Sequence, residues 1–199
     1  MTDAASDLNQ RIAARVRTLR TEQGMSLELL ASRCAVSRSM ISLIERGESS
    51  PTAVVLEKLA AGLGVTLASL FDAPTGTVNG PPSPVSRRDD QAEWQDPDSG
   101  YRRRNVTPPD VAQPVQIVDV SFPAGARVAF DIGVRDIRVS QQVWILDGRM
   151  DVTVGSARHR LQQGDCLAMQ LDQPTVFHNP TRKAARYAVV LLTESTLRR

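Results

Sequence analysis

Residues 26–47 read SLELLASRCAVSRSMISLIERG, and their spacing decides the N-terminal fold. Two short helical patterns stand on either side of the four residues CAVS, which leave room only for a tight turn. Ser26 precedes the first pattern, LELLASRC, and Ser37 precedes the second, RSMISLIER. A serine in that position can accept a hydrogen bond from one of the free N–H groups of the first helical turn. Gly47 stops the second pattern. Leu30, Ala31, Val36, Ile41 and Ile44 are the apolar positions that would lock the two helices together. Ser37, Arg38 and Ser39 open the second helix without a core role. Ser42 lies one turn beyond Arg38 on the same face.

Helical periodicity continues on both sides. Leu8, Ile12, Val16 and Leu19 recur at four, four and three residues, one face of a helix that Gly24 ends. Pro51 and Thr52 open another, whose apolar stripe is Val55, Leu56, Leu59 and Leu63 and which Gly62 and Gly64 close. Thr66 can cap a last short helix, LASLF. The expectation is five helices in a compact all-α domain over residues 8–72.

Composition bounds the rest. The chain has 199 residues, 41% hydrophobic and 4% aromatic, so aliphatic side chains must fill its core. A formal net charge of +2 excludes a polycation, so any affinity for a polyanion must come from a local patch. Within residues 8–71 eight cations face five anions, a modest surplus. Cys34 and Cys166 belong to no metal-spaced cluster and are expected as two buried free thiols. No apolar run approaches the roughly 20 residues needed to span a bilayer, and residues 1–11 have no apolar stretch of the signal-peptide kind. The expectation is a cytoplasmic protein with no membrane association.

Residues 73–110 carry most of the prolines and lose apolar periodicity, as a linker would. Its later part, with Trp94, Tyr101 and the solvated run Arg102 to Arg104, can join the second domain as an edge strand. From Val115 the pattern turns to alternation. VQIVDVSF is a strand. VWILDGRMDVTV reads as two strands around Asp147-Gly148, a hairpin of the type I′ kind. Gly155, Gly164-Asp165 and Pro174 punctuate further strands, and ARYAVVLL is the last. Residues 111–195 are therefore expected to form a β-sandwich or barrel.

The combination Leu30-Ala31, Val36-Ser37, Ile41-Ser42, Ile44-Glu45-Arg46-Gly47, Pro51-Thr52 and Leu63-Gly64-Val65 resembles the XRE-type, lambda-repressor-like helix-turn-helix family. The resemblance covers residues 11–71, about a third of the chain. It implies a transcription regulator, most simply a repressor, that places its second helix in the major groove of double-stranded DNA. Arg38, Ser39 and Leu43 would then face bases, with Ser42 on the same surface. Ser37 and Arg46 would face phosphates, and Arg11, Arg15 and Arg33 are weaker phosphate candidates. Glu45 reads as a structural hydrogen-bonding partner. A single module of this size covers little DNA, so a homodimer on a near-palindromic operator is expected. Two residues depart from the family pattern. Leu27 stands where a Gln often contacts the DNA backbone, and Ala35 stands where the turn favours Gly.

Residues 115–193 resemble the cupin family through Ala124-Gly125, VWILDGRMDVTVG, QQGDCLAM and QPTVFHNPTRKAARYAVVLL. The resemblance implies a double-stranded β-helix (jelly-roll) barrel that dimerises and can hold a small-molecule effector. Metal-binding cupins converge a His-x-His pair, a Glu and a later His on one ion. Here Gln141 stands for the Glu, Thr175 for the later His, and no His pair precedes them. Alternation sends His178 outward if Thr175 and Phe177 point in. No metal, no cofactor and no catalytic residue is expected. Candidate effector contacts are Gln141, Thr175, Arg135, Trp144 and Met169. A metal-dependent enzyme tethered to DNA and a constitutive scaffold whose barrel only dimerises are the two rival readings.

Overall fold

The computed structural model describes residues 2–71, 83–109, 114–131 and 137–194, with side chains from Leu8 onward in the first helix. Two compact units divide the chain: one contains the N-terminal helices, the other a pair of β-sheets.

The helical unit contains α1 (Thr2–Glu22), α2 (Leu27–Cys34), α3 (Arg38–Glu45) and α4 (Ala53–Gly62), followed by a 3₁₀ turn at Ala68–Phe71. The expected fifth helix is that four-residue turn, and α1 starts six residues before Leu8. Three α-helices are capped where the sequence places a hydroxyl. Ser26 Oγ accepts from Leu29 N–H at 3.1 Å, Ser37 Oγ from Met40 N–H at 3.2 Å, and Thr52 Oγ1 from Val55 N–H at 3.4 Å. Thr66 Oγ1 does the same for the 3₁₀ turn, accepting from Ser69 N–H at 3.2 Å. Each such cap is worth about 1 kcal/mol over alanine.

Ile12, Val16, Leu30, Ile41, Ile44, Leu56, Leu59, Leu63 and Leu70 meet in one fully buried core. Burying each stabilises the unit by about 1.5–3 kcal/mol. Gly62 is the last residue of α4, as expected, and it also faces α2, where a Cβ would stand 2.8 Å from Cys34 Cβ. Its lack of a side chain is what lets the two helices approach.

The second unit has ten strands: β1 (Glu93–Gln95), β2 (Arg102–Asn105), β3 (Val115–Phe122), β4 (Arg127–Phe130), β5 (Arg138–Asp147), β6 (Arg149–Val154), β7 (Ala157–Gln162), β8 (Cys166–Gln170), β9 (Thr175–His178) and β10 (Ala185–Glu194). They form a six-stranded sheet, β1-β2-β3-β10-β5-β8, and a four-stranded sheet, β4-β9-β6-β7. Every pairing is antiparallel. From β3 to β10 the order in the two sheets, 3-10-5-8 and 4-9-6-7, is that of a jelly roll. The fold class implied by the cupin resemblance is the one observed. β1 and β2 lie inside residues 73–110 and form the outer strands of the larger sheet.

The expectation of a hairpin at Asp147-Gly148 is wrong. β5 pairs with β10 and β8, whereas β6 pairs with β7 and β9, so the chain crosses from one sheet to the other at Gly148. Gly148 has φ +80°, while Asp147 does not share the positive φ that a type I′ turn requires. The corner is tight: a Cβ on Gly148 would lie 3.0 Å from Ala185 Cα. The true two-residue hairpin joins β6 to β7 through Gly155-Ser156, with Val154 opposite Ala157. The thiols also differ from expectation. Cys34 is buried, but Cys166, on β8, is exposed.

Candidate nucleic-acid interface and barrel interior

α3 is fixed from behind and free in front. Ile41 and Ile44 are buried, while Ser37, Arg38, Ser39 and Met40 are exposed at its N-terminal end. Glu45 anchors the other end. Arg20 of α1 donates to both its carboxylate oxygens, Nε at 2.6 Å and Nη2 at 2.8 Å, and also to the carbonyl of Met25 at 2.8 Å. The pair is largely covered, with side-chain exposures of 14% and 7%, which makes it a lock between helices rather than a surface ion pair. Its hydrogen bonds to Glu45 raise the Arg20 pKa. The structural role expected of Glu45 is what the geometry shows.

The two long cations of α3 are held by carboxylates of the same unit. Arg38 Nε lies 2.7 Å from Glu28 on α2, with both side chains about two-thirds exposed. The Glu28 pKa is lowered, first by its own backbone N–H and then by Arg38 and Ser26 against a small cost of burial. Arg46 donates to Glu48 through Nε at 2.9 Å and Nη2 at 2.7 Å, and to Ser42 Oγ through Nη1. This pairing lowers the Glu48 pKa and raises that of Arg46. Both ion pairs lie in water and contribute little to stability, so either guanidinium can change partner at small cost. Ser42 and Leu43 are half-exposed beside them.

The weaker phosphate candidates separate. Arg15 Nε donates to the Ser69 carbonyl at 3.3 Å, tying α1 to the 3₁₀ turn. Arg11 and Arg33 are half-exposed. Leu27 is half-exposed at the first position of α2, an apolar side chain where a backbone-contacting Gln was noted as absent. Ala35 is left-handed, φ 51° and ψ 39°, as the turn demands.

Inside the barrel one end is filled by aromatic rings. Trp94, Tyr101, Phe122, Tyr187, Phe177 and Phe130 form a file with successive centroids 5.5–6.2 Å apart. Burial pushes the Tyr187 hydroxyl well above its ordinary pKa and raises that of Tyr101. Arg103 belongs here too. It is buried on β2 beside Tyr101, not solvated as expected for the Arg102–Arg104 run, because the parity of β2 turns its middle residue inward.

The candidate effector residues are not one cluster. Gln141 and Thr175 are buried and face inward, and Met169 pairs with Gln141 across β5 and β8. Trp144 does not belong with them. It is three residues from Gln141 on the same strand, hence on the opposite face, and is half-exposed outside the barrel. Arg135 lies outside the described residues. His178 faces outward as alternation implied, in a row with Asp151 at 3.9 Å. His159 on β7 shares the inward parity of its partner Val152. Among the described residues no three His, Cys, Asp or Glu side chains gather as metal ligands would.

A helix-turn-helix family model, HTH_3, matches residues 16–70. The chain is 40% identical over 63 residues to the HTH-type transcriptional regulator SutR of Escherichia coli, a match covering 32% of this chain and 35% of SutR. It is 37% identical over 67 residues to the control protein C.MunI of a Mycoplasma species, covering 33% of this chain and 90% of that one. An HTH_3 family transcriptional regulator from Vibrio cholerae is similar in structure, with a TM-score of 0.74 and 25% identity over 94% of this chain and 98% of that chain.

Proposed function

Because this chain belongs to the HTH_3 helix-turn-helix family, we propose that it is a sequence-specific DNA-binding transcription regulator, a repressor whose barrel dimerises and biases operator affinity. The observation that carries this reading is α3 itself: a short amphipathic helix bolted to α1 through Glu45 and to the core through Ile41 and Ile44, with Ser37, Arg38 and Ser39 left exposed at its N-terminus. A major groove admits such a helix, and its floor offers donors and acceptors to those side chains.

In the bound state Arg38 leaves Glu28 and meets a base edge, with Ser39 and Leu43 beside it. Arg46 exchanges Glu48 for a phosphate, and Ser37, Ser42, Arg11 and Arg33 flank the contact. The expected partner is duplex DNA with two half-sites, read by a homodimer. Residues 8–72 serve as the reading domain and 111–195, with β1 and β2 added from the segment before them, as the dimerising one. With Trp144 outside, the effector reading rests on Gln141, Thr175 and Met169, together with Arg135, which lies outside the described residues. The aromatic file that fills the other end of the barrel favours, as the second reading, a barrel that only dimerises.

The test is a binding-site selection from random duplexes with the wild type and Arg38→Ala. Loss of preference at one base pair per half-site, with about 1–3 kcal/mol of lost affinity, is expected. An unaltered consensus at unaltered affinity would refute the role of Arg38.

A further inference from the structure

The outer face of the larger sheet carries several exposed apolar side chains among its polar ones. Strands β3, β10, β5 and β8 lie side by side there, and their outward residues include Trp144, Ile117, Leu192 and Val115, exposed by 50, 40, 39 and 36%. Ala188, Val190 and Ala168 stand between them in register. Ser140, Gln142 and Gln170 are the neutral polar members of the face. Asp119 stands on β3 level with Ala188 and Trp144, held by Arg186 at 2.9 Å and by Arg104; Arg138 and Glu194 stand at the far end. A contiguous patch of this kind marks an interaction site rather than ordinary surface. Its neutral centre does not suit a nucleic acid, whose contacts are chiefly cationic.

We propose that a second copy of this chain covers this face, with a two-fold axis that lies between the two faces and crosses β10 at Val190. The proposal rests on the dimeric reading above and assigns its interface. The reason for a second copy is the order of outward residues along β10: Arg186, Ala188, Val190, Leu192, Glu194. That order is complementary to itself when reversed. With the strands antiparallel, Val190 lies over Val190 of the partner subunit. Leu192 lies over Ala188 of the partner subunit, large on small. Glu194 lies over Arg186 of the partner subunit, anion on cation.

Of the two neighbouring strands β5 follows the same rule, while on β3 the axis sets Ile117 over Ile117 of the partner subunit and Asp119, already held by Arg186 and Arg104, over Val115 of the partner subunit. On β5 the outward residues are Ser140, Gln142 and Trp144, and Gln142 is level with Val190. The same axis sets Trp144 over Ser140 of the partner subunit. Packed sheets interdigitate side chains at about 10 Å separation with strands nearly aligned, which is the geometry required here. Four strands are ~19 Å wide and nine residues ~27 Å long, so two such faces together cover roughly 1,000 Å², the lower bound for a specific interface and less than the ~1,200–2,000 Å² of stable ones.

The experiment is sedimentation equilibrium on the full chain without DNA, with thermal melts to show that each variant folds. The wild type is expected to be a dimer. Val190→Glu, which buries a charge against its own image, is expected to weaken association by roughly 100-fold or more. Ala188→Leu and Leu192→Ala are each expected to weaken it, and the double variant A188L/L192A to recover most of the loss. A monomeric wild type, or a V190E chain that remains as dimeric, overturns the interface. A double variant no better than either single one overturns the antiparallel arrangement. Arg38→Ala leaves all of these unchanged, so failure of this interface and failure of the DNA-reading helix are separately visible.

Discussion

Replacing Ala35 with glycine should make the helical unit more stable. Ala35 joins α2 to α3 in the left-handed region, φ 51° and ψ 39°, and among the described residues it is the only non-glycine with positive φ. A Cβ in that conformation costs ~1–2 kcal/mol. Ala35 is exposed, so its methyl group returns little by packing. Glycine removes the strain but gives the unfolded chain more freedom, which takes back ~0.4–1 kcal/mol. Taking ~1.5 less ~0.7 leaves a net stabilisation of ~0.8 kcal/mol. For a unit of this size that corresponds to a rise in midpoint of ~3–6 °C. The assay is thermal unfolding followed by helical ellipticity, since the α-helices lie in this unit. Ala35→Val, β-branched at the same φ, should melt below the wild type. If A35G melts at or below the wild-type temperature, the turn is not strained and the argument fails.

Glu45→Ala should destabilise the helical unit by ~2–4 kcal/mol, because it leaves the largely covered Arg20 with only the Met25 carbonyl; a denaturant midpoint within error of wild type would refute the lock. Asp119 is paired by Arg186 and Arg104, and although burial raises its pKa, those two partners outweigh burial and hold it below 3.8. A carboxylate depressed in the folded state adds stability above its unfolded pKa and loses it as pH falls through the folded value. Asp119→Asn should therefore lower barrel stability at neutral pH, and the difference from wild type should close below about pH 3.8; a difference independent of pH would exclude the charge. With a thiol reagent in native buffer, Cys166 should react quickly. Cys34, buried and with its pKa raised by burial, should react only on unfolding; two equally fast thiols would contradict the packing of α2 on α4.

What was legible in the sequence was local. Ser26, Ser37 and Thr52 each cap within three residues, so each declares its helix without help from the rest of the chain. The exposed N-terminal face of α3 followed from the same short span, since Ile41 and Ile44 leave Ser37 to Ser39 with nowhere to go but outward. The barrel was less legible because strand partners are chosen over long separations. Asp147-Gly148 reads alike as a hairpin and as a corner between sheets, and only the pairing of β5 with β10, some forty residues on, distinguishes them. Arg103 shows the same limit, since three arginines in a row carry no mark of which one the sheet turns inward. Trp144 is different. Its odd spacing from Gln141 already placed the two on opposite faces of one strand, and strict attention to alternation would have removed it from the interior.

The pairs Arg38–Glu28 and Arg46–Glu48 have a consequence for selectivity. A reading helix with bare guanidinium groups would cling to any stretch of phosphate. Here each cation is already occupied, and occupied by a group that hydrates well once released. On the function proposed above, engagement would be a swap of one anion for another, nearly balanced wherever the sequence is wrong. Only a site that also satisfied Ser37, Ser39 and the floor beneath them would tip the swap forward, so that the helix would scan DNA lightly and settle only where it fits.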